Sequence, residues 1–270
     1  MKKIILDILV ILTSASLSAQ SLSILHFNDT HSHIDPERAG ELVGRGGIIE
    51  QAALIDSIRA VNGRNHVLLL HAGDFGQGSS YFTLLNGDVE IQLLNDLKFD
   101  VACLGNHEFD NGIEELARRL KALKKTKVVC ANYDFSQTPL APYVKPYVIV
   151  KRGGYKIGII GLLTDVRKVV DSEIAEKLDY KDPVAVTNQY AGLLKNEKNC
   201  DLVLCLTHIG FDEDCELAGL SENVDIIVGG HSHTLKHDIT VVKNKEAKPV
   251  QVVTDWCWGR NMGELRISGK

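Results

Sequence analysis

Gly105-Asn106-His107-Glu108-Phe109-Asp110 follows a short apolar run, Val101–Leu104, and precedes Asn111-Gly112 and a helical stretch, Ile113–Lys124. An Asn and a His side by side at the mouth of a strand suit a metal-phosphate site. The amide oxygen of Asn106 can ligate a hard cation, and His107 can donate a proton or hydrogen bond to a phosphoryl oxygen. Asp110, three residues on, is placed to hold that imidazole in one tautomer.

Working outward, four more segments carry polar residues where apolar strands end. Leu22–Phe27 runs into Asn28-Asp29-Thr30-His31, and Val67–Leu70 into His71-Ala72-Gly73-Asp74. Leu202–Leu206 ends in Thr207-His208, and Val224–Val228 in Gly229-Gly230-His231-Ser232-His233. Open α/β sheets gather their sites at the carboxyl ends of their strands. Asp29 and His31 flank one residue, as do His231 and His233, so an extended chain would point each pair to one side. The glycines before Asp74, Asn106 and His231 are read as leaving room for a metal.

The gathered set is Asp29, His31, Asp74, Asn106, His208, His231 and His233, with no thiolate. That chemistry suits Mn, Zn, Fe, Co or Ni rather than a Cys-rich structural zinc. Seven ligands exceed one tetrahedral ion and suit two ions sharing a carboxylate, the usual device for in-line phosphoryl displacement.

The remaining pattern alternates helices and fully apolar strands. Ile48, Ile49, Ala52, Ile55 and Ile58 mark an amphipathic helix, and Val89–Leu97 and Pro183–Asn196 are helices, the last with Pro at its start. Gly153-Gly154, between Tyr147–Val150 and Ile157–Leu162, predicts a hairpin. Ile239–Val242 and Val250–Thr254 predict another, and Ser136–Pro146 a loop. Strands apolar on both faces imply buried sheets, hence an α/β or layered α/β/β/α domain.

At 270 residues and 44% hydrophobic content the chain can bury a full core. A net charge of −5 argues against a nucleic-acid binder that relies on counterion release, and no basic run suggests a patch for nucleic acid or anionic lipid. Met1–Lys3, the apolar Ile4–Leu12 and the small residues up to Ala19 read as a secretory signal, leaving residues 20–270 as one domain, periplasmic or secreted. That apolar run is shorter than the roughly 20 residues of a membrane span. The six cysteines form no C-x-x-C pair and read as small buried hydrophobes. No G-x-S-x-G elbow supports a serine hydrolase.

The order D-x-H … G-D … G-N-H-E … H … G-H-S-H resembles the calcineurin-like metallophosphoesterase superfamily. Ala72–Gly78, Leu104–Gly112 and Ala131-Asn132-Tyr133 resemble, more narrowly, the catalytic domain of secreted 5′-nucleotidases, UDP-sugar hydrolases and 2′,3′-cyclic-nucleotide phosphodiesterases. The resemblance implies a four-layer α/β/β/α fold around two divalent metals. Asp29, His31 and His233 would hold one ion, Asn106, His208 and His231 the other, and Asp74 would bridge them. His107 and Asp110 would form the catalytic pair, outside the metal shell. The implied reaction is removal of a nucleotide 5′-phosphate by in-line attack of hydroxide drawn from a shared water. Hydrolysis of cyclic or sugar nucleotides is the alternative within enzymes, and a non-catalytic metal-binding module the alternative outside them. The family's C-terminal substrate domain has no counterpart before Lys270, which implies either a domain that acts alone on small or exposed phosphoesters or, as the favoured expectation, a separate polypeptide that supplies it. Tyr81, Phe82, Trp256 and Trp258 are the aromatic candidates for base stacking, with core packing the favoured role of each.

Overall fold

The computed structural model describes residues 21–269, so the export signal read at residues 1–19 lies outside the described residues. Two six-stranded sheets form its centre. The first runs β14 (Gly263–Ser268), β1 (Ser21–Phe27), β2 (Val67–His71), β3 (Val101–Cys103), β4 (Lys127–Val129), β6 (Val144–Lys145). The second runs β12 (Thr240–Lys243), β13 (Pro249–Val253), β11 (Ile226–Val228), β10 (Leu202–His208), β8 (Tyr155–Leu163), β7 (Tyr147–Arg152). Inner pairings are parallel, while β14, β7 and β12 add antiparallel edges. A two-stranded ribbon joins β5 (Tyr133–Asp134) to β9 (Asp179–Tyr180).

Side-chain alternation along these strands builds the layers. In β1, Leu22 and Ile24 face the second sheet, whereas Leu25 and Phe27 face the helices. In β10, Leu204 and Leu206 face the first sheet, and Val203 and Cys205 face outward. The outer face of the first sheet packs on α1 (Ile48–Asn62), α3 (Asp88–Asp96) and α4 (Ile113–Leu120) through Ile55, Ile91, Leu94, Leu116 and Leu120. The outer face of the second packs on α6 (Pro183–Gly192) and α7 (Phe211–Leu220) through Val186, Ala191 and Leu217. Short helices α2 (Ser80–Leu85) and α5 (Ser172–Ala175) lie in connections. The result is the expected α/β/β/α order. Each fully buried aliphatic side chain in these layers contributes about 1.5–3 kcal/mol.

The chain crosses from one sheet to the other at Pro146, between β6 and β7. There the sheets touch backbone to backbone. A Cβ on Gly161 would lie 2.3 Å from the Val129 carbonyl, and Ala131 N donates to Gly161 O at 2.8 Å.

Both predicted hairpins form, and all six cysteines are free thiols, five of them buried. Some boundaries differ from the sequence reading. The helix expected to reach Lys124 ends at Leu120, and the one expected to reach Asn196 continues from Gly192 as a π turn, Leu193–Glu197. The loop read at Ser136–Pro146 contains the short strand β6. Ile49, read as core-facing, is 74% exposed, while Gln51 is buried and donates to Gly259 O at 3.1 Å. A run of isoleucines leaves more apolar positions on α1 than its buried stripe can absorb.

Gly161→Ala is therefore expected to destabilise the fold by about 1–3 kcal/mol, since overpacking here has backbone on the opposing side. Gly192, helical and with open space where a Cβ would stand, gives the opposite expectation, a gain of about 0.5–1 kcal/mol in Gly192→Ala. Urea midpoints at unchanged m-value check both.

Candidate metal centre

The loops after β1 and β2 pair as a continuation of their strands. Asp29 N donates to Gly73 O at 3.0 Å, His31 N to Asp74 O at 3.0 Å and Ser32 N to Phe75 O at 3.1 Å. Asn106 and His107 follow β3, His208 ends β10, and His231 and His233 follow β11. All seven residues read as ligands thus gather where the two sheets' parallel strands end.

The way they converge differs from the extended-chain expectation. Asp29, His31, Asp74, His231 and His233 have φ of 49°, 46°, 53°, 82° and 50°, all in the left-handed region. Side chains there diverge from strand alternation, and non-glycine residues pay about 1–2 kcal/mol for the conformation. The glycines also act differently from the expectation. A Cβ on Gly105 would lie 2.2 Å from Asp74 Oδ1, so the missing side chain makes room for a ligand residue rather than for a metal.

Three overlapping groups result: Asp29–His31–His233, His31–Asp74–His107 and Asp74–His208–His231. Within each, the nitrogen or carboxylate oxygen atoms lie within 4.8 Å of one another, close enough to hold a cation. His31 Nε2 and His233 Nε2 are 2.9 Å apart, and His233 Nε2 is 3.4 Å from Asp29 Oδ1. His208 Nε2 is 3.0 Å from Asp74 Oδ2, its ring set by an Nδ1 donation to Ala72 O at 2.7 Å. Asn106 Oδ1 is buried with no hydrogen-bond partner, as suits an oxygen that awaits a cation. Oxygen and imidazole donors without thiolate fit a hard or borderline divalent ion.

Buried carboxylates and imidazoles set one another's charge here. Burial would raise the Asp29 carboxyl, but the charge of His208 and the hydrogen bond with His233 hold it below the usual carboxylate range. Asp74 is likewise lowered against burial by His208. In return, burial of His208 is overridden by Asp74 and Asp29, which push it up to about 10. His233 rises to about 10 through its bonds with Asp29 and Cys257, whereas burial drives His31 down to about 4.

His107 stands at the rim. Its Nδ1 is 2.8 Å from Asp110 Oδ2, which raises its pKa, and its backbone N–H donates to Asp74 Oδ1 at 2.9 Å. Proximity alone does not separate His107 from the ligands, since it shares a group with His31 and Asp74. The bond to Asp110 fixes its ring, as the bond to Ala72 O fixes that of His208. These residues open onto a cavity of about 310 Å³, on whose wall Val169 is 43% exposed.

Two supporting residues went unread. Asn28 donates to Asp29 Oδ2 at 2.7 Å and to Trp256 O at 2.6 Å, and accepts from Asp255 N at 2.8 Å. Glu108 is fully buried and accepts from Asp74 N, Gly76 N and Gly105 N at 2.9, 3.0 and 2.6 Å. It ties the β2 loop to the β3 loop from inside the opening motif, where only its position hinted at a role. The aromatic candidates are already engaged. Arg260 lies over both Trp256 and Trp258, His33 stacks on Trp258, and Phe82 is buried. Tyr81 donates to Asp35 Oδ2 at 3.3 Å.

Glu108→Ala would leave three buried N–H groups without an acceptor, each worth about 1–3 kcal/mol. The melting temperature should fall and divalent-metal affinity should drop about 10–100-fold. Glu108→Gln, which keeps one acceptor oxygen, should fall between. Thermal denaturation and calorimetric metal titration decide it.

Comparison with known proteins gives the family. The chain matches calcineurin-like phosphoesterase over residues 22–235. It is 33% identical to a probable 5′-nucleotidase of Treponema pallidum (strain Nichols), over 91% of this chain and 44% of that protein. It is 32% identical to the snake venom 5′-nucleotidase of Naja atra, over 92% and 50%. The solved 5′-nucleotidase precursor from Thermus thermophilus superposes with a TM-score of 0.83 at 35% identity, covering 92% of this chain and 51% of that one. The chain spans about half the length of the curated relatives it matches. With the ligand-bearing strand ends inside the matched region, the chain belongs to the calcineurin-like phosphoesterase family.

Proposed function

We propose that this chain is a dinuclear metal-dependent phosphohydrolase that removes the 5′-phosphate of nucleotides. The observation that carries catalysis rather than mere metal storage is His107, which lines the same cavity as the metal-binding groups and is held by Asp110 at 2.8 Å. Asp29, His31 and His233 would hold one ion and Asn106, His208 and His231 the other, with Asp74 between them. Mn, Zn, Fe, Co or Ni all suit these donors. Bound there, two divalent ions supply Lewis acidity and lower the pKa of a water. His107 donates to a phosphoryl or leaving oxygen as negative charge builds, and Asp110 keeps its ring in the donating tautomer and orientation. Asn28, through Asp29, keeps the first group in register.

The 5′-nucleotide reading is supported by the relatives that bear that name. Groups that select the base would complete the site from outside the described residues. Export is our reading of residues 1–19. Among the described residues no helix is long and apolar enough to cross a membrane.

The test is hydrolysis by residues 20–270 with Mn²⁺, offering AMP, UDP-glucose, 2′,3′-cAMP and bis-p-nitrophenyl phosphate. AMP should be cleaved, EDTA should abolish the activity, and added Mn²⁺ should restore it. His107→Ala should lower kcat about 10²–10³-fold with bound metal unchanged. Cleavage of the diester alone would move the assignment to a phosphodiesterase. An unaffected His107→Ala variant would remove the proposed acid. Silence on all four substrates with metal bound would show that residues 20–270 do not suffice for the reaction.

A further inference from the structure

The first sheet's parallel strands carry Asp29, Asp74 and Asn106 beyond their carboxyl ends. At their opposite ends lies a cleft of about 820 Å³. From Val67, which lines it, β2 runs five residues toward Asp74, so the two sites are separated by roughly 15–20 Å. Four separated segments form the lining: the end of α1, the α3–β3 connection, the α4–β4 connection and β7. They contribute seven basic side chains against two carboxylates, a local excess of five positive charges in a chain of net charge −5.

Two of the seven are committed to the frame. Arg152 pairs with Asp100, whose other oxygen accepts from Leu69 N at 3.0 Å. Arg59 donates to Leu97 O at 2.8 Å and Lys98 O at 3.1 Å, and reaches Asp56 at 4.0 Å. Arg64, Lys98, Lys124, Lys125 and Lys127 enter none of the ion pairs formed among the described residues. The loops bearing them are pinned to each other, for Asn95 Nδ2 donates to Ala122 O at 3.0 Å and Lys124 N donates to Asn95 Oδ1 at 2.8 Å. Lys98 has a φ of 59°, at a helix end where glycine is the usual choice. Unpaired like charges on a rigid concavity repel one another and focus a field that draws anions.

Shape and charge select the kind of anion. The volume is that of a small-molecule site, and the cations surround a concavity rather than spread along an open face, which favours a compact ion over a bilayer or duplex. Five unpaired cations need several negative charges, more than one orthophosphate brings. Val67, Phe99 and Val150 add apolar lining. We propose that this cleft binds a polyphosphate anion at a site separate from the metal centre, the shared chemistry being the linked phosphates of inorganic tripolyphosphate or a nucleoside triphosphate.

The probe is pyranine, a trisulfonated pyrene that the metal centre cannot hydrolyse, followed by fluorescence anisotropy on the Mn²⁺-loaded chain. Saturable binding that weakens steeply with salt is expected, with displacement by tripolyphosphate and by ATP. The exposed-surface variant Lys124→Glu/Lys125→Glu/Lys127→Glu should bind about tenfold or more weakly at an unchanged melting temperature. Displacement by tripolyphosphate as well as ATP assigns recognition to the phosphates, and displacement by ATP alone assigns it to the nucleoside and overturns the polyphosphate reading. Equal affinity in wild type and variant would place the dye at the metal centre and overturn the proposal. Displacement by duplex DNA or phosphatidylglycerol vesicles but not by tripolyphosphate would overturn it too.

Discussion

Two carboxylates, Asp29 and Asp74, are buried at the edge where two sheets meet, and the rest of the site exists to keep them charged there. An ionised carboxylate taken out of water loses several kcal/mol of solvation unless donors and opposite charge replace it. Asp29 receives the Asn28 amide and the His231 N–H, and Asp74 receives the His107 N–H and lies beside His208. Imidazolium charge on His208 and His233 lies opposite them. These carboxylates and imidazoles, with the orphaned Asn106 oxygen, could together hold a divalent ion.

Placing those charges requires the four-layer fold. Asp29, Asp74 and Asn106 come from the first sheet, and His208, His231 and His233 from the second. The sheets must therefore approach closely, and Gly161 against Val129 is where they do. The left-handed backbone at five of the seven site residues is strain concentrated where side chains must converge. It is held by the paired β1 and β2 loops and by the buried Glu108, which accepts three N–H groups at once.

The same sheet separates charge along its strands. Its carboxyl end is rich in carboxylate and imidazole, and its amino end opens on a basic cleft. A net charge of −5 conceals this division because opposite patches cancel in the sum. Composition speaks to solubility, whereas ligand binding follows the local field.

By itself, the sequence determined the layered α/β class and pointed to the polar residues that the fold gathers at its strand ends. Apolar runs such as Val67–Leu70 carry their burial in composition, and each ligand stands beside the end of such a run. Local spacing also sufficed for His107 and Asp110, three residues apart. What only the tertiary structure decided depends on segments distant along the chain. The reading of Asp29-x-His31 as extended was overturned by pairing with the Gly73–Phe75 loop. The exposure of Ile49 and burial of Gln51 follow from a contact with Gly259, about two hundred residues away. The short basic stretch Lys124-Lys125-Thr126-Lys127 is visible in the sequence, against the reading that found no basic run, but that Arg59, Arg64, Lys98 and Arg152 join it at one cleft is decided by the fold. Burial periodicity is a local property of the chain, whereas backbone strain, supporting hydrogen bonds and electric fields arise only when remote segments are brought within a few ångströms.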